Sequence, residues 1–328
     1  MMADRERLAK LVQSADECGI NTLYVVVWNQ GRVNFPSEVL TSAIGPGYDR
    51  PRAECDVLAT LIELAHARKM RVLAWFEFGF ASSYNDPTGG HLLRAKPHWA
   101  ARDSAGKIAS KNRFQWMNSF HPEVQQLLAD LMKEVVTKYD LDGVQGDDRL
   151  PACPSSAGYD EWTVAEYRRE HQNADPPQDY HDRAWIDWRS ERLNQFMERL
   201  HRELKALRPE LVISSAPSLF PWSKAEYLQD WPTWVERGWV DEISPQIYVL
   251  EEAKYAAELE RILTAQVPPA KHGLVWPGIL VRTGTFGPTT EALQAMVAEN
   301  RKRGIEGEVF FYDAALRTHR EFMEELYP

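Results

Sequence analysis

The chain has 328 residues, of which 44% are hydrophobic and 26% charged, enough to build a large buried core. Its formal net charge of −10 argues against nucleic acid or an anionic membrane surface as the main partner. No run of about 18 apolar residues is present, so no membrane-spanning helix is expected. Cys18, Cys55 and Cys153 are widely spaced and form no C-x-x-C pair, which leaves neither a disulfide framework nor a zinc site to be read.

Arg5–Glu17 has helical spacing, with Leu8, Leu11, Val12 and Ala15 on one face and Gly19 as a stop. Asn21–Trp28 is a nearly all-apolar, β-branched run, the pattern of a strand buried on both faces of a parallel sheet. A Gly/Pro/Ser loop follows over Asn29–Pro51, then an amphipathic helix over Ala53–Arg68 and a second buried strand over Arg71–Phe78. Phe80–Phe120 is a long irregular insertion, and its aromatics Tyr84, Trp99, Phe114 and Trp116 argue that it is ordered. A helix over His121–Tyr139 leads to a short strand ending in the adjacent acids Asp147 and Asp148. Leu150–Gly158 is a loop, Tyr159–Glu170 a short helix, Asn173–Asp179 a Pro-rich break and Tyr180–Leu207 one long helix. Beyond it, strands are predicted at Leu211–Ser215, Val240–Val249, His272–Leu280 and Gly307–Tyr312. Helices are predicted at Lys224–Arg237, Glu251–Leu263, Thr289–Arg303 and Thr318–Leu326.

The alternation is βα throughout, with seven strands and eight long helices, and the chain begins on a helix. The expected fold class is α/β, a single (β/α)8 TIM barrel over residues 1–328. Such a barrel needs eight strands and starts on one, so the first strand is expected to be missing from this sequence. The alternative is a doubly wound open sheet, but no G-x-G-x-x-G turn supports dinucleotide binding.

In a barrel, the residues that close each strand line one pocket. Here these are Trp28, Asn29 and Gln30, then Trp75 and Glu77, then Asp147 and Asp148, then Ser214 and Ser215. Gln246 and Tyr248, Trp276, and finally Phe311, Tyr312 and Asp313 complete the set. Carboxylates, amides, a phenol and indoles are the chemistry of a sugar site. The expected partner is therefore a carbohydrate, with no cofactor and no metal. The nine His residues are scattered and form no H-E-x-x-H pattern. His121 joins the candidate binding residues, although a lone His is more often a structural hydrogen bonder. Ser214-Ser215 lacks a G-x-S-x-G frame, which disfavours a serine nucleophile.

The chain resembles the glycosyl hydrolase-like 10 family (DUF187). The resemblance rests first on Tyr139-Asp140-Leu141-Asp142-Gly143-Val144-Gln145-Gly146-Asp147-Asp148. Gly158-Tyr159-Asp160 with Thr163 and Tyr167 follows, then Trp185, Trp188-Arg189, and Leu228-Gln229-Asp230-Trp231. The last signature is Gly238-Trp239-Val240-Asp241-Glu242-Ile243 leading to Pro245-Gln246-Ile247-Tyr248. It covers nearly the whole chain and implies a bacterial TIM-barrel glycosidase of a family often exported, although no secretory signal opens this sequence. Two positions depart from the pattern: Gly146, where the family often has Phe, and Val249, where Trp or Arg is usual.

On this reading Asp148 is the general acid, and Asp147 stabilises positive charge or orients a substrate acetamido group. Gln246 and Tyr248 hold the sugar, while Trp28, Trp75 and Trp276 stack on it. No carboxylate closes the Ser214-Ser215 strand. A two-carboxylate mechanism would have to borrow Glu77 or Glu242, the latter with the barrel's outside as its alternative placement. The gap favours assistance by a substrate amide. The rival expectation is a non-hydrolytic carbohydrate-binding barrel.

Overall fold

The computed structural model describes residues 2–48 and 56–327. Seven parallel strands form its centre. The first four are β1 (Thr22–Val26), β2 (Arg71–Trp75), β3 (Gly143–Asp147) and β4 (Val212–Ala216). β5 is in two pieces, Glu242–Ile243 and Gln246–Ile247, and is followed by β6 (Gly278–Leu280) and β7 (Val309–Phe311). Pairing runs β1 to β5 in sequence, with the upper piece of β5 carrying on to β6 and β7. Every pair is parallel. A doubly wound sheet would reverse its strand order at a switch point, and none occurs here. The architecture is of the TIM-barrel class. Among the described residues, no strand pairs with the outer edge of β1 or of β7.

β5 breaks where Pro245, lacking an N–H, interrupts the ladder. The lower piece pairs with β4 and bridges to Val275, and the upper piece pairs with β6. The predicted strand over His272–Leu280 begins only at Gly278, because Pro269–Leu274 forms a 3-10 turn. The predicted helix over Lys224–Arg237 is two helices, Trp222–Tyr227 and Trp231–Arg237, separated by Leu228 in the left-handed region at φ 58°. The predicted start of the second helix at Ala53, with Cys55, lies outside the described residues. That helix runs from Val57 to His66, capped by the Asp56 carboxylate, which accepts from the Ala59 N–H.

The long insertion is ordered. Ala81–Tyr84, Phe114–Trp116 and Ser110–Lys111 form a small antiparallel sheet over the mouth of β2. The loop after β1 holds a short antiparallel pair, Trp28–Asn29 with Arg32–Val33, and the helix Glu38–Ile44. At the other end of the chain, Arg320 bonds Ser14 Oγ (2.8 Å) and Glu17 (2.5 Å), tying the last helix to the first.

The barrel interior is polar near its N-terminal end. Arg71 pairs with Glu242 at 2.9 Å, and the Tyr24 hydroxyl donates to the same carboxylate at 3.1 Å. Gln145 donates to Ser214 Oγ one layer along. Glu242 therefore faces inward, beside the residue that opens β2, and not outward as its alternative placement had it. Cys18 and Cys153 are buried free thiols, and burial pushes Cys153 up to about 12.

Candidate active site

β3 delivers Asp147 to the carboxyl end of the sheet, and the chain then turns back on itself. A Cβ on Gly146 would lie 2.4 Å from the Leu150 carbonyl oxygen, so the return of the loop over the strand needs a glycine there. The turn places Arg149 among three carboxylates. Its Nη2 lies 2.8 Å from Asp147 Oδ2 and 3.0 Å from Glu77 Oε1, and its Nη1 lies 2.9 Å from Asp148 Oδ1. Its Nε donates to the Glu77 carbonyl at 2.9 Å. The guanidinium also lies over the Phe114 ring of the insertion, 4.8 Å from its centre. Asn29 completes the group by donating to Glu77 Oε2 at 2.5 Å.

One guanidinium cannot neutralise three carboxylates, and the excess negative charge sits in a largely dry space. The Asp147 side chain is 2% exposed, against 22% for Asp148. Burial raises Asp147 well above the usual carboxylate range, with Arg149 opposing and Asp148 and Glu77 adding to the rise. Burial also raises Glu77, again against the pull of Arg149. Groups coupled this closely titrate together, and the cluster holds a proton above the pH at which an isolated carboxylate would lose it.

Around this cluster stand the aromatics of the barrel mouth. Tyr248 stacks on Phe311 at 5.3 Å, and Trp75 meets Phe311 edge-on at 6.2 Å. Burial and then the Asp148 and Asp147 carboxylates push Tyr248 upward. Tyr227 is raised to about 12 by burial and then by Asp148. Asn112 donates to the Tyr227 hydroxyl at 2.9 Å, and the Lys111 ammonium lies 4.7 Å from the centre of its ring.

The structure thus joins Asp147, Asp148, Glu77 and Asn29 directly and sets Trp75, Tyr248, Gln246 and Tyr312 at the same strand ends. Gln246 Nε2 is turned to the Ala216 carbonyl at 2.7 Å. Gln30 is exposed in the hairpin turn after Asn29, at φ 49°. Trp28 is fully enclosed and donates its indole N–H to the Gly79 carbonyl at 2.9 Å, so it supports the floor and offers no stacking face. Trp276 precedes β6 instead of closing it, and its ring packs on Gly307 at the opposite end of the sheet. His121 caps the helix Pro122–Lys138, its Nδ1 accepting from the Glu123 N–H at 3.2 Å. Possible ligand atoms of His98, His121 and Glu123 come within 4.8 Å of one another. The cap engages Nδ1, and a helix N-terminus disfavours a cation, so the group reads as a structural knot. Residue patterns did not single out Arg149, Tyr227 or Trp222. An Arg after Asp-Asp reads as a surface turn until the fold closes it over Glu77.

The remaining signature residues hold the loop after β3. Gln229 Nε2 donates to the Asp147 carbonyl at 2.8 Å, which fixes the backbone of the acid pair. The buried Arg189 donates to the carbonyls of Ser155, Ala157 and Tyr180 and lies over Trp185, 4.3 Å from the ring centre. Burial pushes it down to about 10. Asp160 caps the helix Glu161–Glu170 and accepts from Asn118 Nδ2 at 2.7 Å, linking that helix to the insertion.

Residues 1–282 match the model of the glycosyl hydrolase-like 10 family. Glycosyl hydrolase DigH of Escherichia coli K12 is 27% identical over 259 residues, covering 70% of this chain and 55% of DigH. Glycosyl hydrolase YngK of Bacillus subtilis is 25% identical over 273 residues, covering 74% of this chain and 49% of YngK. The chain thus spans about half the length of these curated relatives. The glycoside hydrolase domain of PgaB (BpsB) from Bordetella bronchiseptica shares the fold, with a TM-score of 0.72 and 16% identity over 98% of this chain and 92% of that one. The chain belongs to the glycosyl hydrolase-like 10 family.

Proposed function

We propose that the protein hydrolyses glycosidic bonds in a polysaccharide or cell-wall-type glycan, with Asp148 as the general acid. The observation that carries this reading is the carboxylate cluster on Arg149 at the carboxyl end of the sheet. Asp148 is its reachable member, whereas Asp147 is enclosed and bonded on both oxygens. In the proposed step Asp148 gives its proton to the leaving glycosidic oxygen as the bond to the anomeric carbon breaks. Asp147 and the shared guanidinium hold Asp148 in place, and Tyr248 and Gln246 hold the sugar. Glu77, on the same guanidinium as Asp148, supplies a second carboxylate for the developing positive charge. It makes a two-carboxylate route available beside assistance by a substrate amide. The names of the relatives support the reaction class.

One observation favours a binding-only barrel instead. Asp148 is itself bonded to Arg149, so a glycosidic oxygen must compete with the guanidinium for it.

The test is a screen of peptidoglycan fragments, N-acetylhexosamine polymers and plain glucans, with Asp148→Asn alongside. The expected result is cleavage that falls by roughly 10²–10⁴-fold in the variant while binding is kept. Cleavage confined to acetamido sugars supports substrate assistance, and cleavage of plain glucans points to Glu77. Turnover near wild type in Asp148→Asn sinks the assignment, and binding without cleavage by either protein supports the binding-only barrel.

A further inference from the structure

Exposed large hydrophobic side chains are few on this molecule, and their placement is uneven. Three aromatics among them leave the carboxyl ends of strands: Trp222 after β4, 48% exposed, Phe286 after β6, 53%, and Tyr312 after β7, 42%. A soluble protein has little reason to gather exposed rings around one opening unless something covers them. Two of the three connect inward to the acid cluster through ring contacts. On one side, Trp222 meets Tyr227 edge-on at 5.3 Å, and Tyr227 is buried beside Asp148. On the other, Tyr312 meets Phe311 at 5.5 Å, and Phe311 stacks on Tyr248 at 5.3 Å, which also feels the Asp148 charge. Trp222 thus leads through Tyr227, and Tyr312 through Phe311 and Tyr248, toward the strand ends that carry the acid cluster, with an open ring at the outer end of each path.

We propose that Trp222 and Tyr312 are the two outer platforms of a track that binds a glycan chain running across the acid cluster, so that the protein prefers chain interiors to single sugars or chain ends. This rests on the glycosidase reading and adds substrate length and direction to it. The physical basis is the flat apolar face of a pyranose, which stacks on an indole or phenol while its hydroxyls stay wet. Trp222 is fit for that role. It opens the short helix Trp222–Tyr227 and presents nearly half its surface. A site for one sugar would need rings only beside Asp148, where Tyr227 and Tyr248 already stand.

The test uses Asp148→Asn protein, so that binding is read without turnover. Chitin and cellulose oligosaccharides, from the monosaccharide to the hexamer, are titrated by calorimetry. Affinity is expected to rise with chain length. Adding Trp222→Ala should cost roughly tenfold on the longest chains and little on the disaccharide. Tyr312→Ala should act in the same way from the other end. Trp222 and Tyr312 are exposed, so melting temperature should hold in both variants. An affinity that does not depend on length, or a Trp222→Ala loss equal at every length, overturns the track and leaves the glycosidase reading standing if wild-type cleavage is seen. Failure of every oligosaccharide to bind overturns the track, and overturns the glycosidase reading too if the wild type cleaves none of the screened glycans.

Discussion

Arg149 is the residue whose removal separates structural from chemical roles in the cluster. It is the counter-charge for Asp147, Asp148 and Glu77 together. Arg149→Met keeps much of the side-chain volume and leaves those carboxylates in a largely dry space without a counter-charge. Breaking a buried pair from one side costs about 3–5 kcal/mol. The cost should depend on pH with a definite sign. Asp147 and Glu77 already sit above the usual carboxylate range in the folded protein. Between the ordinary value near 4 and the raised one, the folded state keeps protons that the unfolded chain has released, so stability falls as pH rises through that window. Losing the guanidinium raises both groups further and widens the window. The gap in melting temperature between wild type and Arg149→Met should therefore be smaller at about pH 5 than at about pH 8. A constant gap would mean that the guanidinium acts by packing on Phe114 alone. Asp147 and Asp148 were legible as candidates because strand-end acids in a βα chain have few other uses. Arg149 was not, because its partner Glu77 lies 72 positions away in sequence and meets it only through the fold.

At the scale of elements, the loop after β3 carries the site and is itself carried by Gly79. That residue sits at φ 47°, and a Cβ there would come 2.1 Å from the Arg149 carbonyl oxygen. The same oxygen accepts from the Phe80 N–H at 3.0 Å. Gly79→Ala must push the Arg149 backbone away, with a left-handed strain of about 1 kcal/mol and an overpacking cost of about 1–3 kcal/mol. Melting should show the loss, and turnover should fall further than stability explains because Arg149 moves off its carboxylates. An Ala variant with unchanged turnover would show that the loop tolerates displacement. β1 and β2 were readable as near-continuous apolar runs, the pattern of parallel strands. The ends of strands were less so. β5 reads as one run from Val240 to Val249, yet Pro245 divides it. Trp276 reads as closing a strand, yet Pro277 follows it and the strand starts only at Gly278. Local composition marks an apolar run but not which of its ends lies at the mouth. That is why one predicted indole fell at the far end of the sheet while Trp222, inside a predicted loop, fell on the rim.

At the scale of the whole sheet, no strand among the described residues pairs with the outer edge of β1 or of β7, and these edges set the behaviour expected of the chain as given. β3, between two neighbours, is buried along its length, whereas β1 and β7 are half-buried at every residue. In β1, the Asn21 carbonyl and the Val27 N–H bond to β2. The alternation of a parallel ladder therefore turns the N–H groups of Thr22, Tyr24 and Val26 to the free edge. Such an edge is a template for another strand. The first helix, which precedes β1, and the last, which follows β7, are joined by Arg320 to Ser14 and Glu17. Opening that link is expected to make the two edges more accessible. Self-association is therefore expected to grow with protein concentration and temperature, and to be stronger in Arg320→Ala, which frees the helices without altering either strand. Sedimentation velocity over a dilution series reads this directly. A larger species that rises with concentration in wild type and appears at lower concentration in Arg320→Ala supports edge pairing. A monomer in both proteins at every concentration would mean that side chains around β1 and β7 shield the free N–H groups well enough to remove them as a template.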